Sequence, residues 1–229
     1  MFRVINDVFF QGNLTAKKED LTGKHIVLTG PSIGGIGFET AAALADFGAS
    51  VTVGSRSLPK GEAAALAIKE RFPDALAVKV LQCDTSDLTS VRAFAEAVVK
   101  PVDVIVCNAG SNSNTCRQVE CGVEYTFAAC ALGHHLLAQL LTPKRVVWIT
   151  GDIYVMANGP ADPFFKYKDG YMGGSEAYSR ACVARMLLGW ELQKRFLGKI
   201  DVVMITYFQV LVCYVPCELS HLVVFSTRS

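Results

Sequence analysis

Glycines set at short intervals behind an apolar run carry the first chemical signal in this 229-residue chain. The stretch TGPSIGGIGFETA, Thr29–Ala41, follows the strand-like HIVLTG and opens a segment of helical character. That is the context in which a glycine-rich turn holds the pyrophosphate of a dinucleotide. Gly30 permits the sharp exit from the strand, Gly35 lets the backbone approach the phosphates, and Gly37 lets the following helix pack closely; Ser32 and Ile36 belong to the same cradle. The helix N-terminus adds N–H groups and a partial positive charge. A second signal stands at the end of the next β-branched run, where Gly54-Ser55-Arg56 carries no carboxylate and Lys60 follows. An acidic residue there bonds a ribose 2′-hydroxyl, whereas an arginine beside a hydroxyl suits a 2′-phosphate. The expected cofactor is therefore NADP(H) in preference to NAD(H). No metal site is expected: His134 and His135 are adjacent rather than four apart, and no C-x-x-C pair occurs.

The elements that must position these residues alternate β-branched runs with longer amphipathic stretches, the pattern of βαβ units and a parallel sheet. Strands are expected at His25–Gly30, Ala49–Arg56, Ala75–Asp84, Val102–Gly110, Arg145–Thr150 and Ile200–Ile205. Helices are expected from near Gly37, over Lys60–Phe72, after an Asp87 cap, over Glu124–Leu141 and over Ser175–Phe196, with Leu187, Leu188 and Trp190 as helix core. Gly151–Gly174, rich in Gly, Pro, Asp and aromatics, reads as a functional loop. The fold class is α/β: a Rossmann-type doubly wound parallel sheet, three-layer α/β/α, in one domain. Residues 1–20 form an N-terminal extension, 21–205 the nucleotide-binding domain and 206–229 an atypical apolar tail.

TG-x-x-x-G-x-G, then NAG after the fourth strand, then a Tyr in the helix after the fifth, resembles the short-chain dehydrogenase/reductase family. GIGFETA, SRSLPKGEAA, DTSDLTSVRAFAEAV and GVEYTFAACALGHHLLAQLL, with the long loop before AYSRA, are similar to its retinol-dehydrogenase-like branch. The likeness covers about Leu21 to Ile205. It implies that Asp84 and Thr85 flank the adenine, and that Asn108, Ala109 and Gly110 line the cofactor cleft. The glycine turn is one residue longer than the family spacing, so either Gly34 or Gly35 fills the middle role. The resemblance also implies a catalytic Tyr178, which in the family works with a Lys four residues on, a Ser from the loop after the fifth strand and an Asn from the preceding helix. Here those three positions fall on Cys182, Gly151 and Cys130, leaving Thr150 as the nearby hydroxyl for a substrate oxygen. A tyrosine without a cation ionises only near pH 10. Arg185, Lys166 and Lys168 are the other cations within reach, each read as a surface charge.

The expected function is an NADP(H)-dependent oxidoreductase acting on a small-molecule carbonyl or alcohol. The alternative is a catalytically impaired dinucleotide-binding protein, a pseudoenzyme or truncated product serving as sensor or interaction module. A formal net charge of +1 gives no electrostatic reason to expect nucleic acid. Cys83, Cys107, Cys130 and Cys182 sit in apolar or helical runs as small hydrophobes, and Cys116 and Cys121 flank a charged turn. Irregular cysteine spacing and no signal-peptide pattern suit a reducing, cytoplasmic location. Val202–Cys217 is apolar but shorter than the ~20 residues of a spanning helix. The tail has two readings. Either it adds a closing strand over Leu222–Phe225, or it departs from the family's sequence and the sheet lacks the family's last strand; the second is preferred. A homodimer is compatible with the family.

Overall fold

The computed structural model describes residues 18–157, 173–196, 199–207 and 222–225. Its sheet orders the strands β3-β2-β1-β4-β5-β6-β7. These are β1 His25–Thr29, β2 Ser50–Ser55, β3 Lys79–Gln82, β4 Val104–Cys107, β5 Arg145–Gly151, β6 Asp201–Tyr207 and β7 Leu222–Phe225. The first six run parallel, as expected; β7 pairs antiparallel with β6, on the segment held open above as a closing strand. Helices α1 Ile36–Asp46, α2 Leu58–Arg71, α3 Leu88–Ala97, α4 Gly133–Leu141 and α5 Gly174–Arg195 supply the layers on the two faces.

Strand alternation builds two cores from one sheet. In β1, Ile26 and Leu28 point to one face and join Phe38, Ala41, Ala45 and Ile68 of α1 and α2. Val27 points to the other and joins Val91, Phe94, Leu137 and Trp148. A parallel sheet covered on both faces therefore reads as unbroken apolar runs, which is why the strands were legible. Asp87 caps α3, its carboxylate accepting from Thr89 N at 2.8 Å and Ser90 N at 3.2 Å.

Two expectations about helices change. Trp190 and Leu187 of α5 are 61% and 52% exposed, and of the trio only Leu188 is partly buried. At Gly189 the helix lies close on the sheet: a Cβ there would come within 3.1 Å of the Met204 sulfur and 3.5 Å of Trp148. Leu187 and Trp190, on either side of it, fall outside the buried stripe that carries Ala181, Cys182, Arg185, Gly189 and Leu192. Glu124–Leu141 is not one regular helix. A turn at Tyr125–Phe127 leads through a π-helical stretch, Ala128–Leu132, into α4. Of the loop Gly151–Gly174, a short 3₁₀ turn at Asp152–Met156 is described, while Lys166 and Lys168 lie outside the described residues. Among the described residues, no helix is long and apolar enough to cross a membrane, and Cys116 and Cys121 are exposed free thiols.

Candidate functional site

The strand order reverses between β1 and β4, and at such a switch point an open α/β sheet has its ligand crevice beyond the strand carboxyl ends. A cleft of about 520 Å³ lies there. Gly30, Ser32, Gly35, Ile36 and Gly37 form its floor, with Ser55, Arg56 and Lys60 on one wall. Asp84, Thr85, Asn108, Ala109, Gly110 and Tyr178 complete the lining, so every residue expected at the cofactor faces this one space.

The extra residue in the glycine turn has a definite place. Gly34 takes φ +78° and faces open space, absorbing the insertion in a left-handed bend. Gly35 lines the cleft and is the N-cap of α1, so the middle role falls to it. No side chain caps that first turn, whose N–H groups belong to the cleft end of the helix. Gly37 is fixed by close approach: a Cβ there would lie 2.3 Å from Gly30 O and 2.4 Å from Asn108 Nδ2.

Asn108 does more than line the cleft. Its Nδ2 donates to Thr29 O at 2.9 Å and Gly30 O at 3.0 Å, tying the end of β4 to the end of β1. The Thr29 hydroxyl accepts from Asn108 N at 3.2 Å and Ala109 N at 3.0 Å. It then donates to His134 Nε2 at 2.8 Å, because His134 Nδ1 must carry the ring proton to reach Cys130 O at 3.0 Å. Burial, and secondarily the Arg185 charge, push His134 down to about 3, so this relay is neutral. At the end of β3, the Asp84 carboxylate accepts from Ser86 N at 2.9 Å and Ser86 Oγ at 2.7 Å, holding the turn that follows. On the neighbouring strand the Ser55 hydroxyl donates to Ser57 O at 2.8 Å. Arg56 Nη1 donates to Tyr125 Oη at 3.0 Å, and that phenol donates on to Ser111 Oγ at 3.0 Å.

Behind Tyr178 the structure overturns one reading outright. Arg185 is not a surface charge: it is 1% exposed. Its guanidinium donates to the carbonyls of Cys130, Ile149 and Ala109, joining the π-helical stretch, β5 and the segment after β4. The π-helical stretch makes this possible. Gly133 N bonds back five residues to Ala128 O, while Cys130 O receives Arg185 and His134. A Cβ on Gly110 would lie 3.5 Å from Arg185 Nη2, 3.6 Å from Cys130 Sγ and 3.8 Å from Tyr178 Cε2. The cation, the thiol and the tyrosine ring thus converge on one point of the cleft. Cys130 and Cys182 are fully buried, and burial raises the Cys130 thiol, with Arg185 opposing.

Thr150 does not stand where a substrate oxygen needs it. It is fully buried, does not line the cleft, and its hydroxyl has no hydrogen-bond partner. Strand alternation puts it on the Trp148 face, under the helix layer. Gly151, beside it, has no side chain to offer. Thr29, Ser111, Tyr125 and His134 went unnoticed as site residues in the sequence. For Arg185 a signal existed, a lone charge amid the apolar run ACVARMLL one heptad after Tyr178.

Residues 24–153 match the short chain dehydrogenase family. The chain is 37% identical over 194 residues to the WW domain-containing oxidoreductase of Danio rerio, covering 77% of this chain and 46% of that protein. It is 34% identical over 200 residues to retinol dehydrogenase 12 of Homo sapiens, covering 83% and 62%. The chain thus spans about half the length of the curated relatives it matches. An uncharacterized protein from Mycobacterium paratuberculosis has a similar solved structure, with a TM-score of 0.72 at 29% identity over 85% of this chain and 70% of that one. A metagenomic short-chain oxidoreductase, solved in complex with NADP, superposes with a TM-score of 0.64 at 20% identity over 82% and 83%, a likeness of fold.

Proposed function

Because the chain belongs to the short-chain dehydrogenase/reductase family, on its retinol-dehydrogenase-like branch, we propose that it binds NADP(H) in preference to NAD(H) and reduces a small-molecule carbonyl. The observation that carries this reading is the cleft at the β1/β4 switch point, lined by the glycine turn and by Arg56, Lys60 and Tyr178. The cradle fits a pyrophosphate: it leaves no room for a side chain at Gly37 and no cap on the first turn of α1. A bound nicotinamide dinucleotide supplies the hydride. Arg56 and Lys60 would hold its 2′-phosphate, and Asp84 and Thr85 would flank its adenine. Asn108, Ala109 and Gly110 line the same cleft, the Asn108 amide also tying the ends of β4 and β1 together.

Tyr178 is the proton donor in this reading. Reduction of a carbonyl needs an acid at the forming alkoxide, and a neutral phenol is already in the right protonation state. The buried Arg185 charge, next to the same glycine as the Tyr178 ring, favours the phenolate left when that proton goes. It does so from another position than the family's lysine, whose place holds the buried Cys182.

A second reading, a nucleotide-binding protein without turnover, is favoured by one specific feature. Cys130, Gly151 and Cys182 offer no relay, and Thr150 is buried away from the cleft. The two readings separate in one experiment. NADPH and NADH are titrated by nucleotide fluorescence, and the loaded protein is then offered aldehydes and ketones. The reductase reading expects oxidation of bound NADPH, reduced roughly a hundredfold or more in Tyr178→Phe. Tight binding with no oxidation by any carbonyl leaves the second reading, and no binding at all contradicts both.

A further inference from the structure

Arg56, Tyr125 and Ser111 form a hydrogen-bonded line from the end of β2 to the segment after β4, and all three line the cleft. Arg56 lies on an exposed stretch, where an arginine ordinarily samples many rotamers. Here one of its five N–H groups is occupied by the Tyr125 phenol at 3.0 Å. Among the described residues it makes no ion pair, so its other N–H groups and its charge are uncommitted. Tyr125 is itself held fast. It is 4% exposed, its hydroxyl is anchored on Ser111 Oγ at 3.0 Å, and the Arg117 guanidinium stacks 3.7 Å from its ring centroid. Two guanidinium groups therefore share one phenol, with Lys60 lining the same cleft as Arg56.

From this geometry we infer that Tyr125 is a specificity-determining positioning residue, which holds the Arg56 guanidinium ready for a 2′-phosphate on the bound nucleotide. The inference rests on the NADP(H) reading above. Its physical basis is conformational. A long flexible side chain loses rotamer freedom when it grips a ligand, and a side chain already fixed loses less. The phenol uses one donor and leaves the rest of the planar fork for phosphate oxygens, so the two partners are compatible rather than competing. A nucleotide without the 2′-phosphate gains nothing from Arg56 and should not sense Tyr125.

The test compares wild type, Arg56→Ala and Tyr125→Phe by fluorescence titration with NADPH and with NADH, with circular dichroism confirming the fold of each. Tyr125→Phe removes one oxygen and leaves Arg56 and Ser111 on the cleft wall, where water replaces the lost bond. The expected result is NADPH affinity weakened roughly three- to tenfold with NADH affinity unchanged. Arg56→Ala should remove most of the preference, leaving the share that Lys60 supplies. If Arg56→Ala removes most of it and Tyr125→Phe keeps it whole, the role of Tyr125 is overturned and the NADP(H) reading stands. Tighter NADPH binding in Tyr125→Phe also overturns it, because the phenol then competes with the phosphate. Equal weakening toward both nucleotides overturns it in favour of a general structural role. A wild-type protein with no preference for NADPH removes both the inference and the reading beneath it.

Discussion

A guanidinium that is 1% exposed has to be stabilised by something other than water, and at Arg185 three backbone carbonyls do so. Each belongs to a different segment of the site, which makes the side chain a staple as well as a charge. Removing it leaves the Ile149 and Ala109 carbonyls short of this donor, at about 1–3 kcal/mol for each, while Cys130 O keeps His134. Arg185→Leu is therefore expected to lower stability by about 2 kcal/mol or more in denaturant titration. Arg185→Lys should fall between, since one ammonium cannot span three carbonyls that a planar fork reaches. A loss under 1 kcal/mol for Arg185→Leu would mean that the staple is unimportant. This residue was misread from the sequence for a plain reason. Long charged side chains rarely lie fully buried, and the acceptors that make it possible come from positions 36 to 76 residues away in the chain. Thr150 failed for the opposite reason. Its hydroxyl was in the right stretch of sequence, but strand alternation sends it to the covered face.

At the scale of elements, the glycine turn offers a paired prediction that separates close approach from backbone conformation. Gly37→Ala places a Cβ against a carbonyl oxygen and the Asn108 amide, neither of which has room to retreat. Destabilisation of about 1–3 kcal/mol is expected, with loss of nucleotide binding because the floor of the cleft must shift. Gly34→Ala meets nothing within 4 Å and bears only the strain of a positive φ, about 1 kcal/mol, with binding kept. Melting and NADPH titration of both variants check the pair, and equal behaviour would contradict the assignment of Gly35, not Gly34, to the middle role. Most elements were legible because each strand is a run of β-branched residues and each turn carries its own chemistry. The π-helical stretch was not. Nothing in AACALGHHLL breaks helical character; the departure is stabilised by Arg185 and His134 meeting Cys130 O, a tertiary effect. Likewise α5 shows apolar residues all round, so Leu187 and Trp190 could not be assigned outward without knowing how closely the sheet approaches Gly189.

The whole molecule is a sheet whose reversal of strand order opens the cleft, and whose two halves meet through the Thr29–His134–Cys130 relay. That relay gives folding a pH signature. His134 is held down to about 3 in the fold against an unfolded value near 6.5. Between those values the unfolded chain binds a proton that the folded one refuses, so stability falls as pH falls and is constant, for this group, above 6.5. From pH 6.5 to pH 5 the loss is about 2 kcal/mol. Half-buried His135, depressed chiefly by burial, adds in the same direction. Asp103 is held down mainly by the Lys144 bond and acts only below its ordinary range, outside this window. Denaturant midpoints at pH 5 and 7.5 should diverge in the wild type and converge in part in His134→Gln; identical pH dependence in the two would contradict a buried neutral imidazole.

On the proposed function, this cleft is a nucleotide site tuned to a 2′-phosphate. Equilibrium titration of the wild-type protein with NADPH and NADH, followed by nucleotide fluorescence at moderate ionic strength, tests it most directly. Saturable binding of NADPH, tighter than that of NADH and weakened by Arg56→Ala, is the predicted result. Equal affinity for the two nucleotides, or no binding of either by the folded protein, would contradict it.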